Sequence, residues 1–153
     1  MSLIEQVDKD YIAAYKAKDT LRVSVLRMLK AAVKNRLVEL YRPGGTLSDE
    51  EMLDVIIKEG KQRRDSITEY TKAGRTDLAD KEAAELAILE TYLPKALGPE
   101  ELAQVIEEAI AATHATSPKE MGKVMGAILS AHKGQVDGKA LSAAVRERLS
   151  RQG

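Results

Sequence analysis

Ser117–Lys139 reads SPKEMGKVMGAILSAHKGQVDGK, and its punctuation decides the fold class. Ser117 suits a helix N-cap, and Pro118 suits the first helical position, where its missing N–H would be unpaired anyway. Glu120, three residues on, completes a capping box. Met121, Val124, Met125, Ile128 and Leu129 recur at helical spacing and predict one apolar stripe. Gly122 and Gly126 lie four apart, leaving one helix edge without side chains. Close packing of that edge against a neighbouring helix is expected, since a glycine inside a helix costs about 0.5–1 kcal/mol relative to alanine. Gly134 stops the helix, and Asp137-Gly138-Lys139 starts the next.

The rest of the chain repeats this grammar. Helices are expected at 2–18 (inward Leu3, Ile4, Val7, Tyr11, Ala14, Tyr15) and from the Asp19 cap to about 41 (Val25, Leu26, Leu29, Val33, Leu37, Leu40). Pro43-Gly44-Gly45 breaks the chain, and Ser48 with Glu51 forms a second capping box opening a helix to about 73. Its apolar residues are Met52, Val55, Ile56, Ile67 and Tyr70, interrupted by the polar run KEGKQRR at 58–64. Gly74 leads into a helix over 77–92, with Leu78, Leu86, Leu89 and Leu93 inward, which closes a helical hairpin. Helices at 100–113, 118–133 and 138–150 follow. No stretch alternates with period two, so the chain reads as all-α. Pro94 and Pro99 bracket a boundary at Tyr92–Pro99, giving an N-terminal helical domain (1–95) and a three-helix C-terminal domain (96–153).

Composition narrows the chemistry. The 153 residues include no Cys, Phe or Trp, so a thiolate metal site, a cysteine nucleophile and base stacking on Phe or Trp are excluded. No apolar run approaches the roughly 18 residues that span a bilayer. MSLIEQVDKD is acidic and amphipathic, unlike a signal peptide, so a cytoplasmic protein without a membrane role is expected. His114 and His132 have no acidic or histidine neighbour at metal-ligand spacing. No GxSxG or phosphate-cradling glycine loop occurs. No catalytic residue, metal site or cofactor is therefore expected.

Charge is balanced overall, with 24 cations and 24 acids, so any electrostatic role must come from local segregation. Lys16–Arg42 holds eight cations against Asp19 and Glu39. A secondary basic patch is expected at Lys58, Lys61, Arg63 and Arg64. Residues 119–153 carry seven cations against three acids. There Lys119, Lys123, Lys133 and Lys139, with Gly134 and Gly138 letting the backbone approach, form a candidate surface for a nucleic-acid backbone. Solvated helix faces on an interaction or scaffold domain would give the same clusters.

Beyond these patterns, KQRRDSITEYTKAGRTDLADKEAAELAILETYLPKALGPEEL (61–102) followed by MGKVMGAILSAHKGQVDGKALSAAV (121–145) resembles the YqeY family. The family is related to the C-terminal region of the B subunit of the tRNA-dependent amidotransferase. The resemblance implies an all-helical fold with a small three-helix tail, and tRNA as the partner. An amidotransferase or aminoacyl-tRNA synthetase is a further candidate partner. The family label, a carbon–nitrogen ligase using glutamine as amido donor, has no matching site in these residues. The expectation is thus a tRNA-binding or amidotransferase-associated module without its own catalytic site; the alternatives are a helical scaffold domain or an auxiliary subunit in amidation of mischarged tRNA.

Overall fold

Most turns of the chain are marked by a side-chain cap or by a residue in the left-handed region. The computed structural model describes residues Met1–Gln152, the last by its backbone alone. Seven α-helices account for most of them, with no strand among the described residues: α1 (Leu3–Lys16), α2 (Thr20–Glu39), α3 (Asp49–Lys72), α4 (Thr76–Glu90), α5 (Pro99–Thr113), α6 (Met121–Ala131) and α7 (Gly138–Gln152). A 3₁₀ turn, Pro118–Glu120, precedes α6. Gly153, the last residue of the expected second domain, lies outside the described residues.

Helix starts follow local hydrogen bonding. Ser2 with Glu5 and Ser48 with Glu51 form complete capping boxes, satisfying N–H groups that have no intrahelical partner. Asp19 Oδ1 accepts from the Arg22 N–H at 3.1 Å to cap α2. Arg42 pairs with Glu51 and, with the Ser48 backbone N–H, holds that carboxyl down to about 2. Helix ends use positive φ: Lys18, Tyr41 and His114 at 58° and Gly74 at 72°, while Gly134, at 79°, lies in the turn beyond the α6 cap His132. His114 thus terminates α5 in a conformation that few side chains other than Asn, Asp and His adopt readily.

The chain divides into two compact units, Met1–Leu93 and the residues from Pro94 onward. In the first, α1 pairs with α2 and α3 with α4, around Val7, Val25, Leu26, Leu29, Val33, Leu37, Met52, Val55, Ile56, Ile88 and Leu89. Leu47, in the loop before α3, joins this core. Each fully buried side chain of this size contributes about 1.5–3 kcal/mol from leaving water. Tyr92 closes the unit by donating to Asp10 Oδ2 at 2.6 Å; burial and that neighbouring carboxylate push its phenol upward. In the second unit, Ile106, Ile110, Val124, Ile128, Leu141, Val145 and Leu149 converge from α5, α6 and α7. Its linker is pinned internally: Leu97 N–H donates to Gln135 O at 2.9 Å, and Gln135 Nε2 to Lys95 O at 3.2 Å.

Three expected faces are corrected by the packing. Tyr15 is exposed, so the inward face of α1 is narrower than its apolar count suggests. On α4 the buried residues are Ala79, Glu85, Ile88 and Leu89, while Leu78 and Leu86 are only half-buried. On α3 the buried face does not stop at Ile56 but continues through Gly60 and Arg63, in the middle of the polar run.

Candidate nucleic-acid interface

The structure sorts the secondary basic patch first. Lys58 and Lys61 are exposed and Arg64 is half-buried, but Arg63 is 4% exposed and is no surface cation. Its Nη1 donates to Glu59 Oε2 at 3.0 Å and to the Glu59 carbonyl at 3.1 Å. Its Nε lies 3.7 Å from Glu85 Oε2, and its Nη2 faces Met28 Sδ of α2 at 3.7 Å. The physical reason is register: Arg63 falls on the Met52–Ile56–Gly60 side of α3, so its guanidinium must enter the hairpin. Glu85 meets it there from α4. Glu82, one turn earlier, is raised above an ordinary carboxylate by burial and by the Glu85 charge, with Arg63 opposing. Arg63 therefore leaves the proposed patch and becomes the centre of an internal ion cluster.

The C-terminal candidates fall into two groups. Lys119, in the 3₁₀ turn, and Lys123, in the first turn of α6, are exposed, and no carboxylate ion pair holds either of them among the described residues. Between them Glu120 turns away: it accepts from the Thr116 N–H at 2.6 Å, the Thr116 hydroxyl at 3.1 Å and the Ser117 N–H at 3.3 Å. Those bonds, with Lys123 nearby, hold its carboxyl below the usual range. Lys133, Gly134, Gly138 and Lys139 gather at the other end of α6. At 1.5 Å of rise per residue, Lys123 lies about 12 Å along the axis from Ala131, where α6 ends, and Lys133 follows in the turn beyond. Lys133 is half-buried, while Gly138 and Lys139 are exposed at the start of α7, which Asp137 caps by accepting from the Ala140 N–H at 3.3 Å. His132 lies at the α6 terminus, its Nδ1 3.2 Å from Gln135 Oε1.

Between the two groups lies what the sequence reading missed. Gly122 and Gly126 are exposed, and a Cβ built on either would meet nothing within 4 Å. The expected close packing does not occur. Both glycines fall outside the Val124–Ile128 face that enters the core, and Leu129, placed on the apolar stripe by spacing, is 40% exposed. The edge at Gly122 and Gly126 is instead open to solvent. The signal was present in the sequence, since neither glycine shares a helix face with Val124 and Ile128.

Charge in this unit is segregated by helix. α5 carries Glu100, Glu101, Glu107 and Glu108 and no cation, whereas α6 carries Lys123, flanked by Lys119 and Lys133, and α7 carries Lys139, Arg146, Arg148 and Arg151 against Glu147. One arginine is spent internally: Arg148 of α7 pairs with Glu107 of α5, with Nη2 3.0 Å from Oε2, and holds that carboxyl low. Arg146 and Arg151 remain exposed. The described residues contain no group of three or more histidine and acidic side chains placed to hold a metal ion, and no helix long and apolar enough to cross a membrane.

An all-helical chain with capped helices, a buried ion cluster and one basic helical edge is the class the geometry defines. The chain belongs to the YqeY family: the family described as Yqey-like protein matches residues 4–149. Among curated proteins it is similar to "Altered inheritance of mitochondria protein 41, mitochondrial" of Kluyveromyces lactis, at 37% identity over 68% of this chain and 57% of that protein. The protein of the same name from Lachancea thermotolerans is 36% identical over 59% of this chain and 47% of its own length. That from Pyrenophora tritici-repentis is 26% identical over 95% and 80%. The chain thus spans about half the length of the first of these relatives. Their names place them in mitochondria and overturn the cytoplasmic expectation. That expectation rested on an N-terminus unlike a secretory signal and on the lack of a long apolar run, neither of which fixes a compartment.

Proposed function

We propose that the chain is a tRNA-binding module that contacts the RNA backbone through the α6–α7 side of its second unit. The observation that carries this reading is the pairing of two cations outside any ion pair among the described residues, Lys119 and Lys123, with an open helix edge. Lys119 and Lys123 stand beside Gly122 and Gly126, where a sugar-phosphate backbone can approach a helix surface that no side chain shields. Lys139 and Gly138 extend the contact at the far end of α6. Affinity of this kind comes from displacing counterions and reads shape, which suits a chain without Phe or Trp for base stacking. The relatives' names support a mitochondrial setting for the reading.

The test is a triple substitution, Lys119→Ala, Lys123→Ala and Lys139→Ala, titrated with total tRNA. Loss of affinity together with a shallower dependence on salt supports the surface; unchanged affinity removes it. Association with an amidotransferase or aminoacyl-tRNA synthetase rests on family resemblance, and amidation of mischarged tRNA measured with and without the protein tests it.

A further inference from the structure

The first unit shows a second surface that the RNA reading does not use. Its exposed large apolar side chains past Met1 are Ile12, Tyr15, Met28, Val38 and Tyr41, all on α1, on α2 or in the turn after α2; α3 and α4 expose none. On α2, Met28 and Val38 fall on one exposed row. Ser24, Met28, Ala31, Asn35 and Val38 are exposed and spaced 4, 3, 4 and 3 residues apart. This is the spacing of a heptad seam, by which one helix receives another. It lies on the side of α2 away from Val25, Leu26, Leu29, Val33 and Leu37, which fill the core. Three of its five positions, Met28, Ala31 and Val38, are apolar, Ser24 and Asn35 are polar, and Met28 Sδ also meets Arg63 Nη2 of α3 at 3.7 Å.

The charges beside the seam select the occupant. Most cations of α2 already have carboxylates: Arg22 has Asp19 at 3.6 Å, Lys30 has Asp8 at 3.3 Å and Arg36 has Glu39 at 3.0 Å. The two that flank the seam do not. Arg27 donates only to the neutral Tyr11 hydroxyl at 3.4 Å, and Lys34 has no ion-pair partner among the described residues. A second copy packed antiparallel about Ala31 would set Arg27 opposite the partner's Lys34, a like-charge clash. A parallel copy would offer Lys34 only Glu39, which Arg36 already holds. We propose that this face of α2 docks an amphipathic helix of a different protein, one with apolar residues in heptad spacing and acidic residues along its flank.

The test uses the full chain and two dye-labelled three-heptad peptides. Both carry leucine along the seam; one carries glutamate on its flanks and the other lysine. The Glu-flanked peptide is expected to bind and the Lys-flanked one not. Ala31→Glu should abolish binding of the Glu-flanked peptide, and Arg27→Glu with Lys34→Glu should reverse the preference by at least about tenfold. All three substituted positions are exposed, so unchanged circular dichroism is the control for folding. Equal binding of the two peptides, no binding of either, or no reversal in the double variant overturns the proposal. So does a dimer of this chain that Ala31→Glu dissociates, or a double variant that loses tRNA while keeping the peptide; the face would then belong to a second copy or to RNA.

Discussion

Arg63 carries a larger electrostatic stake than any cation on the surface. It is buried against Glu85 and pairs with the half-buried Glu59, and removing it leaves two carboxylates without their counter-charge in the α3–α4 hairpin. Breaking a buried pair from one side costs several kcal/mol, because the abandoned charge must be hidden or neutralised. Arg63→Ala is therefore expected to lower unfolding stability by about 3 kcal/mol or more, measured by urea denaturation. Lys61→Ala, two residues away and exposed, should stay within about 0.5 kcal/mol of the parent. Glu82 makes an opposite prediction. Its pKa is raised in the folded state, so its charged form is penalised by folding. That penalty is absent below the unfolded carboxylate value, grows as pH rises through the raised folded value, and is complete at neutral pH. Glu82→Gln should thus stabilise at pH 7, by up to about 0.5 kcal/mol, and leave stability at pH 4 unchanged; thermal melts at the two pH values check the sign. This cluster was only partly legible in the sequence. KEGKQRR looks polar all round when Arg counts simply as polar. Extending the Met52–Ile56 register by four and by seven reaches Gly60 and Arg63, but the Glu85 that makes burial tolerable comes from a separate helix.

At the scale of the element, boundaries were the readable part. Ser48 with Glu51, Asp19 and Gly74 announce helix starts and stops through chemistry local to a few residues, and the structure uses each in that role, whereas α6 ends at Ala131, before the expected stop at Gly134. Faces were less readable, because which side of a helix is buried depends on partners distant in sequence. The α4 face includes Glu85 and Ile88 in place of Leu78 and Leu86, and α6 leaves Gly122 and Gly126 bare. Those two glycines give the sharpest test at this scale. Neither has positive φ or a neighbour that a methyl group would strike, so alanine costs nothing sterically. Gly122→Ala and Gly126→Ala should each stabilise by about 0.5–1 kcal/mol, the usual gain of alanine over glycine inside a helix. If the edge contacts RNA, the same variants should bind tRNA more weakly despite being more stable. Destabilisation would mean that the edge is packed after all.

At the scale of the molecule, two separate apolar clusters and a local segregation of charge matter more than the overall charge, which is zero. The all-α class and the family were legible from caps, from helical periodicity and from the motifs at 61–102 and 121–145. The candidate surface was legible only as a list of lysines. Separating those that lie beside an open edge from those held elsewhere needed the packing, since Arg63 and Arg148 look like free cations in the sequence and are ion-paired in the fold. The measurement that bears most directly on the central claim is binding of total tRNA to the full chain across a salt series. Micromolar or tighter binding at low salt, falling steeply and linearly in log–log form as salt rises, is what a basic helical edge predicts. Absence of binding at low salt, or an affinity indifferent to salt, would contradict it.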